Sequence, residues 1–416
     1  MRRLLSRAWA AVLFFPLVVA PVRCLALYQF TGEESGLTIS AAVNAGLGVA
    51  VNPRNTWLYG ERHDELWSGD LRLLADGFVG EWLRGRLNIL ENIRSASSIH
   101  LPGGFAAADV ERSALFSSQQ HASDTTRADL VLDGGSLTWG TESRALTMGR
   151  QPVQFTVTSS FSPNDFFAPF APQQFYRVYK PGVDAVRYEH RLADLTQFSL
   201  VGVLGYEEDP DSANGWRKAP DWQRTSVLGR YVRSVGALEW GMLAGVVRED
   251  NIVGASLQGE LTDWLGLRAE GHYRDSNQDA VGSGSMLSVG LEHRFASSLT
   301  VRLEQLYNSF GYSSIAEADR ALASGTLEPG YLGQHYTAFD AGYEISPLLI
   351  GEFLYLRNWT DGSHSFSFYA VYSLADEAEL ALQVTLPEGK GPDAHSLGSE
   401  LGMQPVRVAL EYRHYF

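Results

Sequence analysis

The last eleven residues alternate with period two. Val406, Val408, Leu410, Tyr412, His414 and Phe416 project to one side of an extended chain, and Arg407, Ala409, Glu411, Arg413 and Tyr415 to the other. Successive side chains of a strand leave opposite faces, so such a segment has one apolar and one polar side. The pattern recurs. Leu265, Leu267, Ala269, Gly271 and Tyr273 oppose Arg268, Glu270, His272 and Arg274, and Leu299, Val301 and Leu303 oppose Thr300, Arg302 and Glu304. Phe366, Phe368, Ala370, Tyr372 and Leu374 oppose Ser365, Ser367, Tyr369 and Ser373. A chain built this way must bury or cover one face of every strand.

Connections sort into two kinds. Short turns of small or acidic residues fall at Thr141–Arg144, Ser234–Gly236, Thr262–Asp263, Ser346–Pro347 and Ala375–Glu377. Longer Gly-, Asp-, Ser- and Asn-rich connections fall between them, at Glu208–Trp222, Asp275–Gly284, Asn308–Gln334 and Pro387–Gln404. Short turns on one side and long loops on the other characterise transmembrane barrels. After the N-terminus no apolar run reaches the length of a membrane helix, yet alternating strands span a membrane with hydropathy near zero. An arginine at mid-bilayer on such a barrel costs roughly 2–4 kcal/mol, so the apolar sets face lipid and the polar sets the interior. Closing the sheet removes every edge.

Counting back from Phe416 gives strands near 405–416, 377–386, 364–374, 348–358, 335–345, 298–309, 285–296, 264–274, 251–261, 237–248, 223–234, 195–207, 183–192, 145–153, 126–140, 80–92, 65–75 and 36–50. That predicts an all-β fold: one transmembrane antiparallel barrel of about 18 strands over 27–416. Sixteen follows if 65–92 is one bent segment or the N-terminal segment is a plug. Arg94–Thr126 lacks periodicity and reads as a surface loop.

Met1–Ala26 reads as a secretory signal peptide. Arg2, Arg3 and Arg7 precede an apolar run from Ala8 to Ala20 that is too short to span a membrane. Lipidation at Cys24, the chain's one cysteine, competes with that reading, although Val22 and Arg23 before it suit lipidation poorly. Without the leader 29 basic residues face 48 acidic ones, a net charge of −19, which argues against nucleic-acid binding.

A chain ending on phenylalanine at the close of an alternating strand resembles the bacterial outer-membrane β-barrels, whose insertion machinery recognises that segment. The resemblance implies an insertion signal at Tyr412, His414 and Phe416, with the histidine where the family prefers an aromatic residue. It also implies Gram-negative outer-membrane location, contact with lipid and lipopolysaccharide, and possible homo-oligomers.

Inward-facing charges are the leading functional candidates. Arg230, Arg268, Glu270, Arg274, Arg302, Glu304, Arg407, Glu411 and Arg413 are expected to line a pore, together with Arg294, Glu239, Glu260, Glu292, Glu344 and Glu379. Opposed charged walls set up a transverse field that selects polar solutes, whereas structural ion pairs filling the interior would explain the same residues. The segment Phe155–Gly182 carries eight aromatic residues and four prolines. Such a segment is a liability on a surface and is expected inside the barrel. Gly149-Arg150-Gln151 followed by Ser162-Pro163-Asn164-Asp165 resembles the entry to the constriction loop of larger substrate-channel barrels. Asp165, Phe166, Phe167, Phe170, Phe175, Arg177 and Lys180 would form the constriction, with Asp165, Arg177 and Lys180 presenting charge at the narrowest point.

The function expected is passive diffusion of small polar solutes or ions. An export barrel resembling the alginate-export family and a non-conducting envelope scaffold are the alternatives. Ten histidines show no zinc-ligand spacing, and neither an enzyme, a metal nor a cofactor is expected.

Overall fold

The computed structural model describes residues 26–54, 58–95, 110–123, 125–193, 195–276, 282–327, 330–394 and 396–416. The expected leader therefore falls, but for Ala26, outside the described residues, as does part of the 94–126 segment. Two-residue alternation produces strands throughout. In chain order they are β1 Tyr28–Thr31, β2 Ser35–Val51, β3 His63–Val79, β4 Leu83–Ser95, β5 Ser117–Ala122, β6 Thr126–Gly140 and β7 Arg144–Gln151. After the segment 152–182 come β8 Val183–Ala193, β9 Thr196–Gly205, β10 Asp221–Val235, β11 Leu238–Val247, β12 Asp250–Thr262, β13 Leu265–Asp275, β14 Gly284–Arg294 and β15 Thr300–Asn308. The α-helix among the described residues, α1 Ile315–Ser324, precedes β16 His335–Ser346, β17 Leu349–Asn358, β18 His364–Ala375, β19 Ala378–Glu388 and β20 Val406–Tyr415.

Each wall strand pairs antiparallel with the next, and β20 returns to β2 through a register running from Ala42↔Tyr415 to Val51↔Val406. Eighteen strands close the wall. The two others extend it where a wall strand is short. β5 pairs with β6 above the end of β7, and β1 pairs with β2 below the point where β20 stops. At the seam Phe416 and Ala41 exchange backbone hydrogen bonds of 2.7 and 3.1 Å.

All eighteen wall strands fall where the alternation puts them. The 65–92 region is two strands, not one bent segment, and β1 lies in the sheet instead of plugging it. Two expectations need correction. The 94–126 connection contains β5, and its residues Glu111–Ser113 are buried. The Asn308–Gln334 connection contains α1, opened by Ser314 and closed by Gly325 in the left-handed region.

Register fixes facing. Leu267, Leu291, Leu303 and Phe339 are cross-strand neighbours on the outer face, beside an inner-face row of Arg268, Gly290, Glu304 and Ala338. Outer positions stay open: Leu47 is 62% exposed, Val253 64% and Leu303 50%. A continuous apolar belt of this kind suits hydrocarbon and not water. Trp82, Trp139 and Trp264 rim the belt at the short-turn end, and Tyr273, Tyr307 and Trp359 at the long-loop end. These are the aromatic girdles of a membrane barrel.

Candidate functional site: a segment laid across the barrel

Between β7 and β8 the chain leaves the wall for thirty-one residues, 152–182. It has no strand pairing there, so its amides need other acceptors. Two wall carboxylates supply them. Glu270 on β13 accepts from the Thr156 hydroxyl at 2.7 Å, from the Asn164 and Thr158 amides at 3.1 and 3.4 Å, and from the Val157 amide. Glu304 on β15 accepts from the amides of Ser159, Ser160 and Phe161 at 3.0, 3.1 and 2.7 Å, and from the Ser288 hydroxyl at 2.9 Å. Converging backbone N–H groups make anion nests, and here the wall provides the anions.

Apolar packing completes the seat. Val153, Phe155 and Phe167 pack on the inward residues Val183, Val201, Val203, Leu228, Leu243 and Ile252 of β8 to β12. Phe161 is fully buried with Leu306, Tyr336, Leu354 and Leu356 of β15 to β17. Burial at about 25 cal/mol per Å² makes each phenylalanine a strong anchor.

The segment then crosses to the other side. Phe175 stacks on Tyr369 of β18 at 4.9 Å, and Gln173 donates to the Ser365 hydroxyl at 2.9 Å. The Arg413 guanidinium of β20 lies 3.9 Å over Tyr176, and that of Arg72 on β3 lies 4.4 Å over Tyr179. Its contacts follow the inner wall in strand order, from β13 and β15 through β18 and β20 to β3, so the segment lies inside the barrel. The aromatic-rich segment folds inward.

Each expected wall residue does point inward, but their surroundings differ. Glu270 and Glu304, expected to line the pore, are buried beneath the segment and hold it. Arg413 is likewise covered, with its guanidinium 2.5 Å from Glu411. Arg274 stacks under Phe310 at 3.9 Å and faces Asp250. Arg302 bridges Glu292 and Asp340 at 2.6 and 2.7 Å. Arg268 donates to the Val157 carbonyl at 3.0 Å. Arg230 lies 6.0 Å from the Phe155 ring, and Arg407 stays exposed.

Within the segment the charges expected at the narrowest point are spent internally. Lys180 pairs with Asp165 and donates to the Ala168 carbonyl, and both charged side chains are under a tenth exposed. Arg177 donates to the carbonyls of Ser159 and Gln174 at 2.5 and 2.7 Å. Phe166 sits edge-on to His272 at 5.0 Å, and Phe170 takes the Lys180 ammonium at 5.4 Å. Residues that do face open space are Pro152, Gln154, Pro169, Ala171, Gln174 and Val178, the last 62% exposed. Sequence inspection missed them because nothing in their chemistry sets them apart.

At the long-loop end, connections pack together. Leu58 and Tyr59 meet Ala318 of α1, Leu332, Leu397 and Met403, and the Tyr59 hydroxyl donates to the Met403 carbonyl at 2.7 Å. Beneath them Glu400 accepts from the Tyr336 hydroxyl and the Asn358 amide at 2.5 and 2.7 Å. No cation pairs with it among the described residues, and burial pushes its carboxyl up to about 7. An unfolded glutamate titrates near about 4.3. A carboxyl raised on folding stabilises the folded form below that value and loses the contribution as pH rises through 7. Amide exchange at 396–403, corrected for intrinsic rates, is therefore expected to be faster at pH 8 than at pH 5. Glu400→Gln should flatten the dependence, and a parent profile already flat would contradict the assignment.

No family model matches the sequence, and no curated protein does. Solved structures match over nearly the whole chain. Acinetobacter baumannii OccAB3 aligns at a TM-score of 0.56 and 11% identity, covering 91% of this chain and 99% of that one. Pseudomonas aeruginosa OccD3 (OpdP) aligns at 0.55 and 10%, covering 96% of each chain. The fold is theirs. P. aeruginosa OccK2 (OpdF), solved in complex with glucuronate, aligns at 0.56 and 10%, covering 91% of this chain and 98% of that one. Outer-membrane porins of the Occ group thus share this architecture at about a tenth of the sequence.

Proposed function

We propose that the protein is an outer-membrane channel of a Gram-negative bacterium through which small polar solutes or ions diffuse without being chemically changed. The observation that carries the proposal is the segment 152–182, fixed across an 18-strand lumen that side chains alone cannot fill. The glucuronate held by a structural neighbour is a solute of the class proposed.

The charge layout supports selection among such solutes. Within six residues of the short-turn end, Arg84, Arg86, Arg187, Arg191 and Arg230 project inward from β4, β8 and β10. Glu344 and Glu352 project inward from β16 and β17 on the opposite side, beside Asp340 and Glu379, which pair with Arg302 and Arg413. Opposed walls of this kind create a transverse field, focused by the low-dielectric surroundings. Beside β2 the inner face carries Thr38, Ser40, Ala42, Asn44, Gly46, Gly48 and Ala50, nothing longer than asparagine. Of these Ala42, Gly46 and Ala50 are buried, so we read the solute route as running past the exposed Ala171, Gln174 and Val178 of the inward segment.

The apolar belt would contact lipid and, in the outer leaflet, lipopolysaccharide. The outward row Tyr412, His414 and Phe416, whose rings follow one another at 6.2 and 4.3 Å, is the face offered to insertion machinery. The export reading calls for a strongly basic lumen, and the acidic side of this one disfavours it. Conductance in planar bilayers tests the channel reading. A folded protein that leaves the bilayer at baseline would favour the scaffold alternative.

A further inference from the structure

Near the short turns of β11 to β14 the inner wall holds a recess of about 490 Å³. Its floor is Gly266. That residue faces inward on β13 without a side chain, in register with Glu260 of β12 and Glu292 of β14.

The charges around the recess are unevenly satisfied. Glu292 is taken by Arg302 at 2.6 Å, with Arg268 at 3.8 Å. Glu239 accepts from the Gln258 amide at 2.8 Å. Glu260 and Arg294, by contrast, make neither an ion pair nor a side-chain hydrogen bond with the described residues. They stand two strands apart and two residues out of line, about 12 Å along the wall, with Gly266 and Glu292 between them. A carboxylate and a guanidinium held apart across a concave surface each offer one charge-assisted hydrogen bond. A solute with a single charge satisfies one and is repelled by the other.

We propose that this recess is a binding subsite for small zwitterions, which seat a carboxylate at Arg294 and an ammonium at Glu260. It rests on the channel reading, which places the recess on the periplasmic side of the inward segment. Solute would pause there after passing the constriction.

Isothermal titration calorimetry on the purified, detergent-solubilised protein tests the subsite, with γ-aminobutyrate as probe and butyrate and n-butylamine as single-charge comparators. The probe is expected to bind near about 1 mM and each comparator at least about tenfold more weakly. Glu260→Gln and Arg294→Gln should each weaken the probe about tenfold, the loss of one charge-assisted bond. Gly266→Leu should abolish binding by filling the floor. A Cβ at 266 would meet nothing closer than 3.5 Å, so the barrel should accept it, as heat-modifiable migration would check. Should that variant fail to fold, the two charge variants carry the test. Equal binding of the probe and butyrate, or parent-like binding in both charge variants, overturns the subsite. Conductance separates the two readings. Conductance without zwitterion binding removes the subsite alone, and binding without conductance removes the channel alone.

Discussion

Alanine at both Glu270 and Glu304 is expected to lift the 156–164 stretch from the wall and raise single-channel conductance severalfold. Six backbone amides, those of Val157 to Phe161 and Asn164, donate to these two carboxylates. A hydrogen bond to a charged acceptor contributes about 1.5–3 kcal/mol, and a buried amide without an acceptor costs a comparable amount. Phe155 and Phe167 would still hold the two flanks of the stretch by apolar burial. They cannot keep six orphaned amides dry, so the stretch must move to water. Glu270→Gln with Glu304→Gln keeps an acceptor at each place and should change conductance much less. A folded, heat-modifiable double alanine variant with parent conductance would mean that the carboxylates do not hold the segment.

Leu303→Arg should cost about 2–4 kcal/mol of folding stability in lipid vesicles. Leu303 lies midway along β15 on the outer face, between Leu291 and Phe339, and is half exposed to the surroundings of the barrel. Glu344→Arg on the inner face should stay within about 0.5 kcal/mol, since the new side chain points into water. That substitution also removes one acid from the acidic side and should shift the reversal potential toward anion preference. Urea titration of both variants checks the pair. Equal costs would mean that the assigned faces are wrong.

Most of the barrel was legible because lipid and water impose the alternation locally. Each wall strand has to declare its faces within its own ten or so residues, as Val406 to Phe416 does. β5 was not legible. Its sequence, Ser-Ser-Gln-Gln-His-Ala, has no apolar side, and backbone pairing with β6 alone makes it a strand. Helix α1 carried its signals, Ser314 before it, Glu317 in the first turn and Gly325 after it. They lie inside a loop-rich connection whose composition masked them.

For the site, direction was legible and partnership was not. Period two places Glu270 and Glu304 inside the barrel. Nothing local says that their partners are amides more than a hundred positions earlier in the chain. The aromatics and prolines of 155–182 announced a segment in need of shelter. The Lys180–Asp165 pair, fifteen residues apart, could be seen as two charges but not as one neutral clasp. The residues left facing the route, Val178 among them, are defined only by what their neighbours bury.

Single-channel recording in planar bilayers, comparing the parent with a variant whose Asn164–Tyr179 is replaced by a short Gly/Ser bridge, tests the central claim most directly. The parent is expected to give discrete current steps with an ion preference in a salt gradient. The deletion variant should give larger steps and a reversal potential closer to zero. Identical steps and identical reversal potentials from two folded proteins would contradict the claim that the inward segment sets the pore.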